Sequence, residues 1–234
     1  MRTALIALLL ALAASPARAQ SAAPDPVVVE LYTAQGCEEC WKANAVLMEL
    51  ARRPDVIALT FPVDYWDYLG WEDSFAHPAF AWRQRAYKRA WRLRDLPTPQ
   101  VVVGGSSHAS GFDWREVARL IDVHRRRRPE GPLVRIADDG ARVLVRSGPP
   151  AAGGAEVLLI RYDPRLTQVA VTRGENRGRI VPHRNVVREV VRLGPWTGRG
   201  RTYAFPRPRY AGLRSVVVVQ ATSSRQIMAC SMPR

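Results

Sequence analysis

Two cysteines, Cys37 and Cys40, stand where an apolar run ends and a helical pattern begins. Val27 to Tyr32 has the length and composition of a buried strand, and Thr33-Ala34-Gln35-Gly36 is turn-like. From Trp41 to Ala51 the apolar residues Ala43, Leu47 and Leu50 recur on one helical face, with Lys42 and Glu49 off it. On a first helical turn this spacing lets the two sulfurs close a disulfide. The unpaired N–H groups of the helix end also stabilise a thiolate on Cys37. Pro54-Asp55 ends the helix and Val56 to Val63 reads as the next strand.

A dithiol in a strand-helix-strand context is that of a thioredoxin-like redox motif, with Cys37 attacking and Cys40 resolving. Two parallel strands joined by a helix end at the same sheet edge, so the loop after Val63 should lie beside Cys37. That loop, Asp64-Tyr65-Trp66-Asp67-Tyr68-Leu69-Gly70-Trp71, is aromatic and acidic. Asp64 is the candidate proton shuttle for Cys40. Tyr65, Trp66, Trp41 and Thr98 are the candidate substrate contacts; the alternative is that the loop's aromatic side chains simply pack under the sheet edge. A helical stretch from Ser74 to Arg92 follows, and Pro97-Thr98-Pro99 precedes a short strand, Gln100 to Val103. Pro99 is placed to form a cis-proline loop against the dithiol and to shape a groove for an extended substrate. Gly104-Gly105 reads as a turn, and Asp113 to Arg126 as a helix capped by Asp113, with Glu116 completing a capping box.

After Pro129-Glu130-Gly131-Pro132 the character changes to short β-branched runs broken by turn residues: 133–136, 142–145, 157–162, 168–172, 186–193, 202–205, 216–221 and 227–231. The expected fold class is therefore an α/β thioredoxin-like domain (residues 20–130) followed by an all-β antiparallel sandwich domain (residues 131–234). Gly174 to Gly178 reads as a hairpin turn. Cys230 falls in the last run as a buried core cysteine, sharing a face with Met228 opposite Ile227 and Ala229; pairing between chains and resolving a mixed disulfide are the alternatives.

Residues 1–19 carry Arg2, an apolar run from Ala4 to Ala14 and the small-x-small pattern Ala17-Arg18-Ala19, which reads as a secretory signal peptide cleaved before Gln20. The run is shorter than the roughly 20 apolar residues a bilayer span needs, so no integral membrane segment is expected in the mature chain. The expected location is periplasmic or secreted. Of the 35 basic residues only Lys42 and Lys88 are lysines, and the formal net charge is +14. Export argues against nucleic acid as the partner. The run Arg125 to Arg128 reads as a basic helix end, leaving salt-sensitive attraction to anionic lipid or cell-wall polymer as a further role. His77, His108, His124 and His183 show no ligand spacing with the cysteines, and no metal or other cofactor is implied.

The sequence resembles the DUF1223 family of bacterial secreted proteins, whose N-terminal domain is thioredoxin-like. The resemblance rests on Val28-Val29-Glu30-Leu31-Tyr32-Thr33, Gln35-Gly36-Cys37, Val63 to Trp71, Thr98-Pro99-Gln100, Gly174-Glu175-Asn176-Arg177-Gly178 and Asn185-Val186-Val187. Family members often carry Ser-Ser-Cys-Pro-Pro after Gly-Cys, whereas here Glu38-Glu39 separate the cysteines and Trp41 replaces the first proline. The two carboxylates oppose thiolate formation on Cys37, so the disulfide should be as stable as that of thioredoxin or more so.

These features point to an exported thiol-disulfide oxidoreductase whose partners are protein thiols or disulfides, or a periplasmic redox partner. The competing readings are a non-enzymatic binding or scaffold protein with a structural Cys37–Cys40 disulfide and, behind it, a metal-binding protein.

Overall fold

A computed structural model of the chain describes residues 26–127 and 130–232; the expected signal peptide lies outside the described residues. In chain order the elements are β1 (Val27–Thr33), α1 (Cys40–Leu50), β2 (Val56–Pro62), a 3-10 turn (Asp67–Leu69), α2 (Pro78–Trp91), β3 (Gln100–Val103), β4 (Ser107–Ser110) and α3 (Trp114–Arg126). Nine strands follow: β5 (Val134–Ile136), β6 (Arg142–Val145), β7 (Ala155–Asp163), β8 (Thr167–Ala170), β9 (Ile180–His183), β10 (Val186–Trp196), β11 (Arg201–Ala204), β12 (Arg214–Ala221) and β13 (Ile227–Ser231). The local signals explain the boundaries. The Asp113 carboxylate accepts from the Glu116 N–H at 3.0 Å and starts α3, and Gly104 and Gly105 turn β3 into β4 with positive φ.

Eight strands form one mixed sheet in the order β13-β12-β7-β10-β2-β1-β3-β4. β1 runs parallel to β2 and antiparallel to β3. The strands of the second half join this sheet through β10, which pairs in parallel with β2 at Val186–Thr60. The sheet curls, so that its last strand returns to its first: the Ile227 N–H donates to the Gly104 carbonyl at 2.9 Å, and Cys230 Sγ lies 3.4 Å from the Pro26 carbonyl.

Alternation along the strands sorts the apolar side chains between two faces. Val28 and Tyr32 of β1, Leu158 and Ile160 of β7, and Val216 and Val218 of β12 share the concave face with Phe80, Ala81 and Tyr87 of α2. The opposite face is covered by α1 and α3 over β1, β2 and β3. Over β7 and β12 it is covered by a separate three-stranded sheet, β11-β6-β5. Inside the curl Glu30 forms a fully buried ion pair with Arg83 at 2.6 Å, and Arg83 also donates to Gln220 of β12 at 3.0 Å. Burial opposes ionisation of Glu30, but the Arg83 charge and hydrogen bonds from Arg83, Tyr32 and Tyr87 outweigh it and hold the carboxyl below its usual range.

Two expectations are corrected here. The second half is antiparallel, but it does not close as a sandwich of its own; four of its strands extend the first half's sheet, and the concave core draws on both halves. Cys230 is buried as expected, yet it faces the same core as Ile227, while Ala229 and Met228 pack on the other side. The cause is a β-bulge: Gln220 pairs with Ile227 and Val219 with Ala229, so Met228 is the extra residue and shifts the alternation. β4 and β9 are strands that the sequence pattern did not indicate.

Candidate functional site

The Cys37 turn links the end of β1 to the first turn of α1. Cys37 and Cys40 are joined by a disulfide with their Cα atoms 5.4 Å apart, and the Cys40 N–H donates to the Cys37 carbonyl at 3.1 Å. The Thr33 hydroxyl donates to the Asn44 side-chain oxygen at 2.8 Å, tying the strand to the helix one turn beyond the disulfide. Glu38 and Glu39 point to solvent. The cysteines between which they lie do not: Cys37 is 3% exposed and Cys40 0%.

Two distant loops close over this turn. Asp73, just after the aromatic loop, accepts from the Gln35 N–H at 2.8 Å and from the Phe75 N–H at 2.9 Å. Burial pushes its carboxyl up to about 6, against the opposing effect of those N–H donors. Trp71 Nε1 donates to the Gln35 side chain at 2.9 Å. From the second half, the fully buried Asn176 side chain donates to the carbonyls of Gln35 and Cys37 at 2.8 and 2.7 Å. Its neighbour Glu175 accepts from the Glu38 N–H at 3.2 Å, at the amino end of α1. Gly174 makes the close approach feasible: it has φ +70°, and a Cβ there would meet the Leu69 carbonyl at 3.3 Å.

His183 of β9 is packed on α1 behind the disulfide. Its Nδ1 lies 3.4 Å from Asn44 Nδ2. Because the Asn44 oxygen already accepts from Thr33, its amide donates, which assigns the imidazole proton to Nε2. Desolvation lowers the His183 pKa to about 4, so the ring is neutral.

The Thr98–Pro99 bond is cis. A Cβ built on Gly111 would fall 2.7 Å from Pro99 Cβ and 3.1 Å from Ala43 Cβ, so Pro99 and α1 meet at this glycine, one turn beyond Cys40. Thr98 and Tyr65 hydroxyls hydrogen-bond at 2.6 Å, and Tyr65 donates to Gln84 at 2.7 Å, which in turn donates to the Pro97 carbonyl at 3.0 Å. Tyr65 and Trp66 pack against the apolar cluster that contains both cysteines. Trp41 lies under the Arg179 guanidinium at 5.3 Å. Asp64 is half-buried, and its side chain makes none of the hydrogen bonds that hold the turn. The carboxylates that do reach it, Asp73 and Glu175, were not singled out from sequence, nor were Asn176, Asn44 and His183. Among the described residues no group of three or more His, Cys, Asp or Glu side chains is placed to hold a metal ion, and no helix is long and apolar enough to cross a membrane.

The model of the family described as "Protein of unknown function (DUF1223)" matches residues 28–220, from β1 through the Cys37 turn to β12. The chain belongs to the DUF1223 family. No curated protein matches it. Two solved structures are similar. The crystal structure of a protein from Agrobacterium tumefaciens is 28% identical with a TM-score of 0.70, over 90% of this chain and 95% of that one. HBP35 of Porphyromonas gingivalis has a TM-score of 0.54 at 11% identity, over 88% of this chain and 74% of that one, a likeness of fold alone. In this DUF1223 chain the Gly174-Glu175-Asn176 segment and the Cys37 turn, 139 residues apart at their Asn176–Cys37 contact, form one site.

Proposed function

We propose that this protein is an exported thiol-disulfide oxidoreductase acting through Cys37 and Cys40. The observation that carries the reading is a disulfide of this spacing on the first turn of α1, with the Pro99 loop packed on the same helix. The strand order β2-β1-β3-β4, with β1 and β2 parallel and α1 between them, supports a thioredoxin-like origin for the first half. The signal-like residues 1–19 support export.

In the oxidised form a substrate thiolate attacks Cys37 Sγ, the Cys37–Cys40 bond breaks, and Cys40 leaves as a thiolate that takes up a proton. A second substrate thiolate then displaces Cys37, so the substrate gains a disulfide and the protein is reduced by two electrons. Thr98, Tyr65, Trp66 and Trp41 are the proposed walls for that substrate, and Asp64 the proposed proton shuttle.

A second reading is favoured by one observation: both cysteines are buried, as expected of a fixed structural disulfide in a binding protein. Equilibrating the protein with defined thiol buffers separates the two. The redox reading expects a potential near the thioredoxin range of about −270 mV and mixed disulfides accumulating on a Cys40→Ser variant. A potential below about −300 mV, slow exchange and no trapped partner would establish the structural reading instead.

A further inference from the structure

At the end of the sheet opposite the disulfide, the start of β2 and the β7–β8 and β9–β10 turns border a half-open cavity of about 350 Å³. Among the described residues, four arginines line it, Arg53, Arg165, Arg184 and Arg214, and no carboxylate does. Two of them are already neutralised from outside the cavity. Asp55 takes both Arg53 Nε at 3.0 Å and Arg53 Nη2 at 2.8 Å, and Asp163 takes Arg165 at 2.6 Å. Among the described residues, Arg184 and Arg214 make no ion pair. Arg214 lies instead against the Tyr162 hydroxyl, itself part of the lining.

A backbone donor adds to these cations. β10 meets β2 only at Thr60, whose N–H donates to the Asn185 carbonyl. Two residues earlier, Ala58 faces the same side. Its carbonyl accepts from the Asn185 side chain at 2.8 Å, but its N–H has no strand partner there. Among the described residues the cavity therefore presents two guanidinium groups without carboxylates, the Tyr162 hydroxyl that Arg214 bonds, and a β2 backbone N–H with no strand partner. Arg125 Nε, 3.2 Å from Asp55, brings the basic end of α3 to the rim and raises the local positive potential.

We propose that this cavity binds a phosphate-bearing ligand, held between Arg184 and Arg214. A guanidinium fork matches two oxygens of a tetrahedral oxyanion, and two unpaired cations match a dianion better than a single carboxylate. The site is separate from the disulfide and does not rest on the redox reading.

Calorimetric titration of the protein with inorganic pyrophosphate at low salt tests it. One binding site per chain is expected, weakened by at least about tenfold in Arg184→Gln and in Arg214→Gln, and left unchanged in Arg115→Gln on the exposed face of α3. Arg214 is exposed and its one side-chain partner among the described residues is the Tyr162 hydroxyl, so that variant keeps the test open if Arg184→Gln does not fold. Absence of binding, or equal weakening in all three variants, overturns the proposal in favour of general charge attraction. Vesicles containing phosphatidylglycerol distinguish the source of the phosphate. Sedimentation with them that pyrophosphate and Arg214→Gln abolish identifies a lipid headgroup, whereas pyrophosphate binding without vesicle binding identifies a free phosphoester.

Discussion

Around Cys37 polar groups are bonded to partners distant in sequence, Gln35 to Asp73 and Cys37 to Asn176 in the interior and Glu38 to Glu175 at the exposed edge. Around the cavity at the other end of β2, Arg184 and Arg214 keep their charge at or near the surface, with no carboxylate of the described residues against it. The contrast separates two uses of polarity. Interior groups fix a backbone shape and are expensive to remove, while rim charges leave the fold indifferent and are available to a ligand.

The strongest way to break that comparison is to remove charge from each side. Arg83→Met leaves the Glu30 carboxylate buried and unpaired and should cost about 3–5 kcal/mol in urea unfolding, whereas Arg214→Gln should stay within about 0.5 kcal/mol. Similar losses for both would erase the distinction.

The two buried titrating groups flanking the disulfide sharpen it through pH. The Asp73 carboxyl is raised to about 6 in the fold, so the native state holds the proton more tightly and this group's contribution to stability falls as pH rises from about 4 to 6. His183 is lowered to about 4, so its contribution runs the other way: complete above about 6.5 and lost as pH falls toward 4. Each swing is up to about 3 kcal/mol and the two largely cancel. Relative to the wild type, His183→Gln should therefore lose stability with rising pH across this window and Asp73→Asn should gain it. Parallel profiles for all three proteins would refute the assignment.

Asn176→Ala should cost about 2–3 kcal/mol, since it strands the Gln35 and Cys37 carbonyls, and should speed reduction of the disulfide by dithiothreitol. A stability loss without faster reduction would mean that the loop braces the turn but does not shield it. The smallest effect expected is that of Glu175→Gln. Removing a carboxylate from the α1 amino end favours the Cys37 thiolate by about 0.3–1 kcal/mol, raising the reduction potential by roughly 7–20 mV. A potential that falls would reverse the electrostatic argument.

Much of the chain was legible because its signals are local. The spacing of Ala43, Leu47 and Leu50 gave α1, the Asp113 cap gave α3, and β3, β6 and β13 fall on their expected residues. What was not legible depends on meetings between distant residues. A single parallel pair, Val186 with Thr60, turns two apparent domains into one sheet, and nothing near either residue announces it. Met228 looks like any alternating strand residue until its partner strand is known. At the site, the Cys-x-x-Cys spacing was visible, but Gly174-Glu175-Asn176 reads locally as a hairpin turn. Its role at Cys37 depends on the packing of the β8–β9 hairpin against α1.

The return of β13 to β1 also bears on how the chain reaches its native state. Ile227 and Cys230 complete the concave core that Val28 and Tyr32 begin, and the contact between Pro26 and Cys230 spans 204 residues. Contacts of such high sequence separation become favourable only after a large loop-closure entropy has been met, which slows folding relative to a chain of local contacts. The strands that shape the Cys37 turn must therefore wait for the far end of the chain before their inner face is dry, and until then the two thiols remain open to mispairing with Cys230.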